Sequence, residues 1–124
     1  MKEVIISDKA PKPVGPYHQA VIVGPLVWCS GQIGIDPETG ELVEGIAQQA
    51  EQAFKNLKVV LEAAGSSLDR VVKVTVFITS MKEFAIVNEI YARFFQEPFP
   101  ARSTVEVSGL PKGALIEIEA VAQR

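Results

Sequence analysis

Near the end of the chain, "PFPARSTVEVSGLPKGALIEIEA" (98–120) sets one arginine and three glutamates among apolar residues. A Pro/Gly turn joins what read as two short strands. Arg102 and Glu106, then Glu117 and Glu119, occupy alternating positions along them, and residues two apart on a strand share a face. Arginine carries a rigid planar fork that holds a carboxylate through two parallel, charge-assisted hydrogen bonds. Pro100 restricts the chain just before Arg102 and so favours one orientation. A glutamate drawn into an interface loses solvation, its pKa rises, and it becomes able to shuttle a proton near neutral pH. Arg102 with Glu117 therefore fits a pocket for a small anion in which a proton must move. Spacing alone fits equally well a pair of charges facing water or surface partners, which are common and nearly cost-free.

The totals narrow the choice. At 124 residues the chain is long enough for one domain, 1–124, burying about two-thirds of its unfolded surface. A net charge of −3 argues against a surface that tracks phosphates, so nucleic acid is not the expected partner. No apolar run approaches the roughly 20 residues that cross a bilayer. The opening "MKEVIISDKAPKP" has neither a signal-peptide core nor a transit pattern, so the expected location is cytoplasmic. One cysteine, Cys29, and one histidine, His18, can supply neither an internal disulfide nor a metal cluster, and no metal or cofactor is expected. Cys29 is expected to be a packed thiol.

Positioning elements follow from periodicity. "KEVIIS" (2–7) reads as a strand, followed by a connector fixed by three prolines, "DKAPKPVGPY". "QAVIVGPLVWCSG" (19–31) reads as two strands meeting at Gly24-Pro25. Ile46, Ala50, Ala53, Phe54, Leu57, Val60, Leu61 and Ala64 recur at helical intervals, and Gly65 stops the helix. "RVVKVTVFIT" (70–79) is a β-branched strand. Ser80 and Glu83 suggest a capping box for a helix over 81–96, ended by Pro98 and Pro100. Strands at 102–108 and 114–122 complete the order β-β-β-α-β-α-β-β. The expected class is α+β, a mostly antiparallel sheet with both helices on one face. Val72, Val74, Val76 and Ile78 are expected on one face of strand 70–79, with Val71 and Phe77 on the other. Two helices cover only one face, so self-association is expected to cover the second.

The C-terminal stretch "PARSTVEVSGLPKGALIEIEA" resembles the signature of the Rid family (reactive intermediate deaminases, also called YjgF). "APKPVGPYHQAVIVGPLVWCSGQIGIDPETGEL" is similar to that family's N-terminal half, so the resemblance covers essentially the whole chain. It implies a chorismate-mutase-like α+β fold and a homotrimer with ligand pockets between subunits. It also implies hydrolysis of enamine and imine intermediates, such as 2-aminoacrylate and 2-iminobutanoate, to 2-keto acids and ammonia. Pyridoxal-phosphate enzymes such as threonine dehydratase supply those intermediates. By resemblance, Arg102 would hold the substrate carboxylate and Glu117 would orient or activate water. Tyr17, Ser30, Gly31 and Asn88 would line the pocket, with the backbone of Thr104 beside it. Many relatives carry cysteine where this chain has Thr104, which removes any thiol role there. Glu106 and Glu119 are expected to be solvated or salt-bridged.

Two other functions stand beside this one. The same trimeric pocket could sense 2-keto acids without turnover, which needs Arg102 and not Glu117. Ribonuclease or chaperone-like activity is the other, and the acidic balance and single histidine weigh against the former.

Overall fold

A computed structural model describes residues 2–124. Strands β1 (Glu3–Ile5), β2 (Ala20–Val23), β3 (Leu26–Ile33), β4 (Val71–Ile78), β5 (Ala101–Glu106) and β6 (Ile116–Gln123) alternate with helices α1 (Ile46–Ala63) and α2 (Phe84–Phe94). They build one sheet in the order β1-β2-β3-β6-β4-β5. Every neighbouring pair is antiparallel except β4 and β5, which run parallel across the α2 connection. This is the α+β arrangement the periodicity predicts.

The apolar stripe of α1 is the reason for its place. Ala50, Ala53, Phe54, Leu57, Val60 and Leu61 are all fully buried against β3, β6 and α2. Gly65, at φ 80°, ends the helix: its N–H donates to Glu62 O and that of Ser66 to Leu61 O, which satisfies two terminal carbonyls. Both helices pack on the face built by Ile22, Val27, Val74, Val76, Ile78, Ile116 and Ile118. Cys29 joins this core, and burial pushes its thiol up to about 12, so it remains protonated.

Two bulges reset the alternation that the sequence suggests. Between Val71 and Lys73 the β4–β6 register shifts, so Val71 is 8% exposed and Val72 is 47% exposed. Val71 therefore joins Val74, Val76 and Ile78 in the core, and Val72 does not, the reverse of the expectation. An inserted residue rotates everything before it to the other face. Phe77 does face away from the helices, in the company of Trp28, which is 52% exposed. The second bulge, between Cys29 and Gln32, lies beside Glu117.

The start of α2 also differs. Ser80 Oγ accepts from Lys82 N at 3.3 Å over a short 3₁₀ turn, Met81–Glu83, that precedes the helix. Glu106, at the end of β5, accepts from Met81 N at 2.6 Å. The partner of Ser80 in capping is thus Glu106, 26 residues away in sequence, and no side-chain bond from Glu83 completes a box. Glu106 is neither simply solvated nor salt-bridged among the described residues.

Polar side chains of α1 pin the ends of two central strands. Asn56 Nδ2 donates to Ile33 O at 3.1 Å and to Ile35 O at 2.8 Å, while Gln49 Oε1 accepts from Leu115 N at 2.8 Å. Gly34 permits this approach, since a Cβ there would lie 2.6 Å from Gln49 Cα. Both pinned segments flank Glu117.

Candidate functional site

Glu117 stands on β6 opposite Ile33 of β3 and Phe77 of β4. Its neighbours Ile116 and Ile118 point into the core, so Glu117 is on the face without helices. Its carboxylate packs against Gly31: a Cβ at that position would meet Glu117 Oε2 at 2.5 Å and Cδ at 2.7 Å. Gly31 lies in the second bulge, and its lack of a side chain is what gives the carboxylate its place. Around it, Lys12, Val14, Tyr17, Gln19, Ile33 and Pro111 wall a pocket. Burial raises the pKa of Glu117 above the ordinary carboxylate value, and the negative charge of Glu119, two residues along the same face, raises it further.

The proline-rich connector forms one wall of this pocket, and Gln19 holds it there. Gln19 is 2% exposed; its Oε1 accepts from Ser7 N at 2.5 Å, and its Nε2 donates to Ser7 O and Pro11 O at 3.0 Å each. Ser30 Oγ donates to His18 O at 2.6 Å, and Ser30 N donates to Gln19 O at 2.9 Å. Tyr17 is thereby kept at the rim, where its hydroxyl accepts from Val14 N at 3.2 Å. Of the residues singled out in the sequence, Tyr17, Gly31 and Glu117 come together here, and Ser30 adjoins them through its bonds to the His18 and Gln19 backbone.

Arg102 is elsewhere. It sits on the edge strand β5 in register with Val74, a core residue, so its side chain rises on the helix side. There Arg102 Nη1 donates to Asn88 Oδ1 at 2.7 Å. The guanidinium lies 4.7 Å from the ring centroid of Tyr91 and 5.7 Å from that of Phe84. Such cation–π contacts fix a charge without neutralising it. No carboxylate pairs with Arg102 among the described residues. Asn88, Tyr91, Ala92, Phe99, Pro100 and Arg102 line a second pocket. Thr104 has the same parity as Arg102 on β5 and is half-buried.

Register separates the two pockets. Glu117 and Arg102 lie two strands apart and three residues out of register through Phe77 and Val74. That is about 10 Å in each direction by ordinary strand spacing, with side chains on opposite faces. One chain therefore carries a cationic pocket and an acidic pocket that cannot grip the same small molecule. The sequence indicated Arg102, Asn88 and Glu117; it did not indicate Tyr91, Phe84 or Gln19. Nothing local in the sequence marks a tyrosine or a phenylalanine of a helix that also faces a guanidinium.

Gly31→Ala is expected to displace the Glu117 carboxylate and to leave the fold intact, because the atom in the way is the far end of a flexible side chain. If Glu117 acts on substrate, a shift of about an ångström lowers kcat on the order of 10²-fold. Steady-state kinetics, with circular dichroism as the control for folding, checks this.

Residues 7–124 match the family model described as Endoribonuclease L-PSP. A RutC-family protein of Pyrococcus horikoshii is 55% identical over 100% of this chain and 99% of its own length. The human 2-iminobutanoate/2-iminopropanoate deaminase is 50% identical over 98% of this chain and 90% of its own. Among solved structures, RidA from an Antarctic Psychrobacter superposes with a TM-score of 0.97 at 51% identity, covering 98% of this chain and 99% of that one.

Proposed function

Since the chain belongs to the Rid (YjgF) family, we propose that it hydrolyses 2-imino acids to 2-keto acids and ammonia, in sites completed between copies of itself. The reaction adds water across C=N and expels the amine, so it needs a held carboxylate, an oriented water and a proton relay. The observation that carries the proposal is the pair of half-sites. Arg102 is a positioned guanidinium with no carboxylate partner among the described residues, and Glu117 is a half-buried acid with a raised pKa. Each is incomplete without the other.

A closed homotrimer supplies the missing half. The face carrying Trp28, Val105 and Phe77 is uncovered by helices, and a cyclic assembly buries such a face once in every copy without leaving an open end. Arg102 and Asn88 of one copy then hold the carboxylate, and Glu117 of its neighbour reaches the imine carbon, with Tyr17, Ser30 and Gly31 shaping that wall and the Thr104 backbone beside the anion.

The chemistry balances without a cofactor. Glu117 as carboxylate accepts a proton from water while the oxygen attacks the imine carbon. That proton passes to nitrogen to give the carbinolamine; Glu117 then takes the hydroxyl proton and returns it to nitrogen, so the C–N bond breaks, C=O forms, and ammonia leaves with the keto acid. An enamine first takes a proton on carbon to become the imine. An imine is already electrophilic, so positioning and general acid–base help suffice. The substrates are the imines and enamines released by pyridoxal-phosphate dehydratases.

The name of the family model raises ribonuclease activity as a second reading. The net charge of −3 opposes phosphate tracking. Coupling a threonine dehydratase to this protein tests the first reading: keto-acid formation accelerates, and semicarbazide captures less imine as the protein concentration rises. Unchanged trapping, with 2-ketobutyrate still bound, would identify a keto-acid sensor instead.

A further inference from the structure

The pocket at Glu117 is small, about 40 Å³, which is roughly three times the room one water needs. Pro13, Val14, Ile33, Ile35 and Pro111 give it apolar walls. Gln19 also lines it, but its amide is taken up by Ser7 and Pro11. Such a pocket suits a short aliphatic group set beside a carboxyl. A 2-imino or 2-keto acid whose carboxylate lies on Arg102 of the neighbouring copy presents that group, because the imine carbon and the β-carbon next to it form its other end.

Resting on that reading of Arg102 and Glu117, we infer a second activity at the same site: Glu117 moves a proton to and from the β-carbon, so the protein tautomerises enamines to imines as well as hydrolysing imines. In an enamine the nitrogen lone pair makes the β-carbon nucleophilic, and water adds to the neighbouring carbon only after the β-carbon is protonated. The Glu117 carboxylic acid gives its proton to the C=C pair, the nitrogen lone pair closes C=N, and one N–H proton is lost to solvent. Glu117 is left as the carboxylate that the following hydrolysis requires. Burial and the charge of Glu119 both raise the pKa of Glu117, so its acid form persists nearer neutral pH than that of an ordinary glutamate.

In the reverse sense, the same transfer enolises a bound 2-keto acid. The Glu117 carboxylate takes a proton from the β-carbon, the C–H pair becomes C=C, and charge gathers on the keto oxygen. Tyr17 lines the same pocket with a donor for that oxygen: its hydroxyl accepts from Val14 N at 3.2 Å, which uses a lone pair and leaves the hydroxyl hydrogen free. Return of a proton from Glu117 to the β-carbon restores the keto acid, and nothing is oxidised or reduced.

Exchange into deuterium oxide reads this step without an unstable substrate. With the full assembled chain, the methylene signal of 2-ketobutyrate in the proton NMR spectrum is expected to fade on the order of 10²-fold faster per bound ligand than in buffer alone. The terminal methyl signal keeps its intensity, and Glu117→Gln returns the fading to the buffer rate. Fading at the buffer rate in a parent that still hydrolyses imine overturns the inference and confines Glu117 to activating water. Equal acceleration by Glu117→Gln also overturns it, because another group then moves the proton. A parent that neither hydrolyses imine nor binds 2-ketobutyrate removes the underlying reading of Arg102 and Glu117, and this inference with it.

Discussion

Arg102→Lys is expected to lower imine hydrolysis on the order of 10³–10⁴-fold, although it keeps the charge. Lysine is a point charge on a flexible stem, and a carboxylate held beside a reacting carbon needs a planar two-bond clamp. Losing one charge-assisted hydrogen bond costs about 1.5–3 kcal/mol, or one to two powers of ten in rate. A misplacement of about an ångström at the imine carbon costs a further 10² or so. Lysine also lacks the fork that here bonds Asn88 while its carbon lies within 4.7 Å and 5.7 Å of the Tyr91 and Phe84 ring centroids. Stopped-flow measurement of keto-acid release gives the rate, and light scattering shows that assembly is intact. A fully assembled variant with parental turnover and parental affinity for 2-ketobutyrate would make Arg102 an ordinary surface arginine.

Glu117→Gln has the second-largest expected effect, a loss on the order of 10²–10⁴-fold in kcat with ligand affinity retained, since the amide is nearly isosteric and cannot accept the proton. The pH dependence has a definite sign. Glu117 works as the carboxylate, so parental activity falls as pH drops through its raised pKa, at a higher pH than an ordinary glutamate would give. That acidic limb disappears in the amide. Stability responds in the opposite sense. Because the folded state binds this proton more tightly than the unfolded state, ionisation of Glu117 costs stability above the raised pKa. The lost stability returns as pH falls and is complete below the ordinary unfolded value. Glu117→Gln at neutral pH is thus expected to melt no lower than the parent. A lower Tm with full activity would make Glu117 a structural residue.

How legible this was depended on how local each cause is. The α1 stripe and its Gly65 stop could be read because 3.6-residue spacing and a positive φ are properties of a few neighbours. Arg102 and Glu117 stood out as charges within apolar strands. Opposite placement of the two was hidden, because it follows from β5 pairing in parallel with β4 and from Val74, not the local pattern, deciding which face Arg102 takes. The bulge that exchanges Val71 for Val72 depends on pairing with β6, 45 or more residues later. Gln19 carries no local signal, and only the returning connector gives it its three hydrogen bonds, two to Ser7 and one to Pro11. Glu106 capping Met81 needs the β4–α2–β5 crossing to exist first.

The central claim is that Arg102 of one copy and Glu117 of another act on one imine, and mixing two crippled chains tests it directly. Arg102→Lys and Glu117→Gln chains, unfolded together in equal amounts and reassembled, form some sites from the intact half of each. Random assembly places both intact residues in about a quarter of the sites, so turnover is expected to recover to about a quarter of the parental rate from two chains that are each almost inactive. Activity of the mixture no greater than the average of the two variants alone, in assemblies shown to contain both chains, would contradict the account.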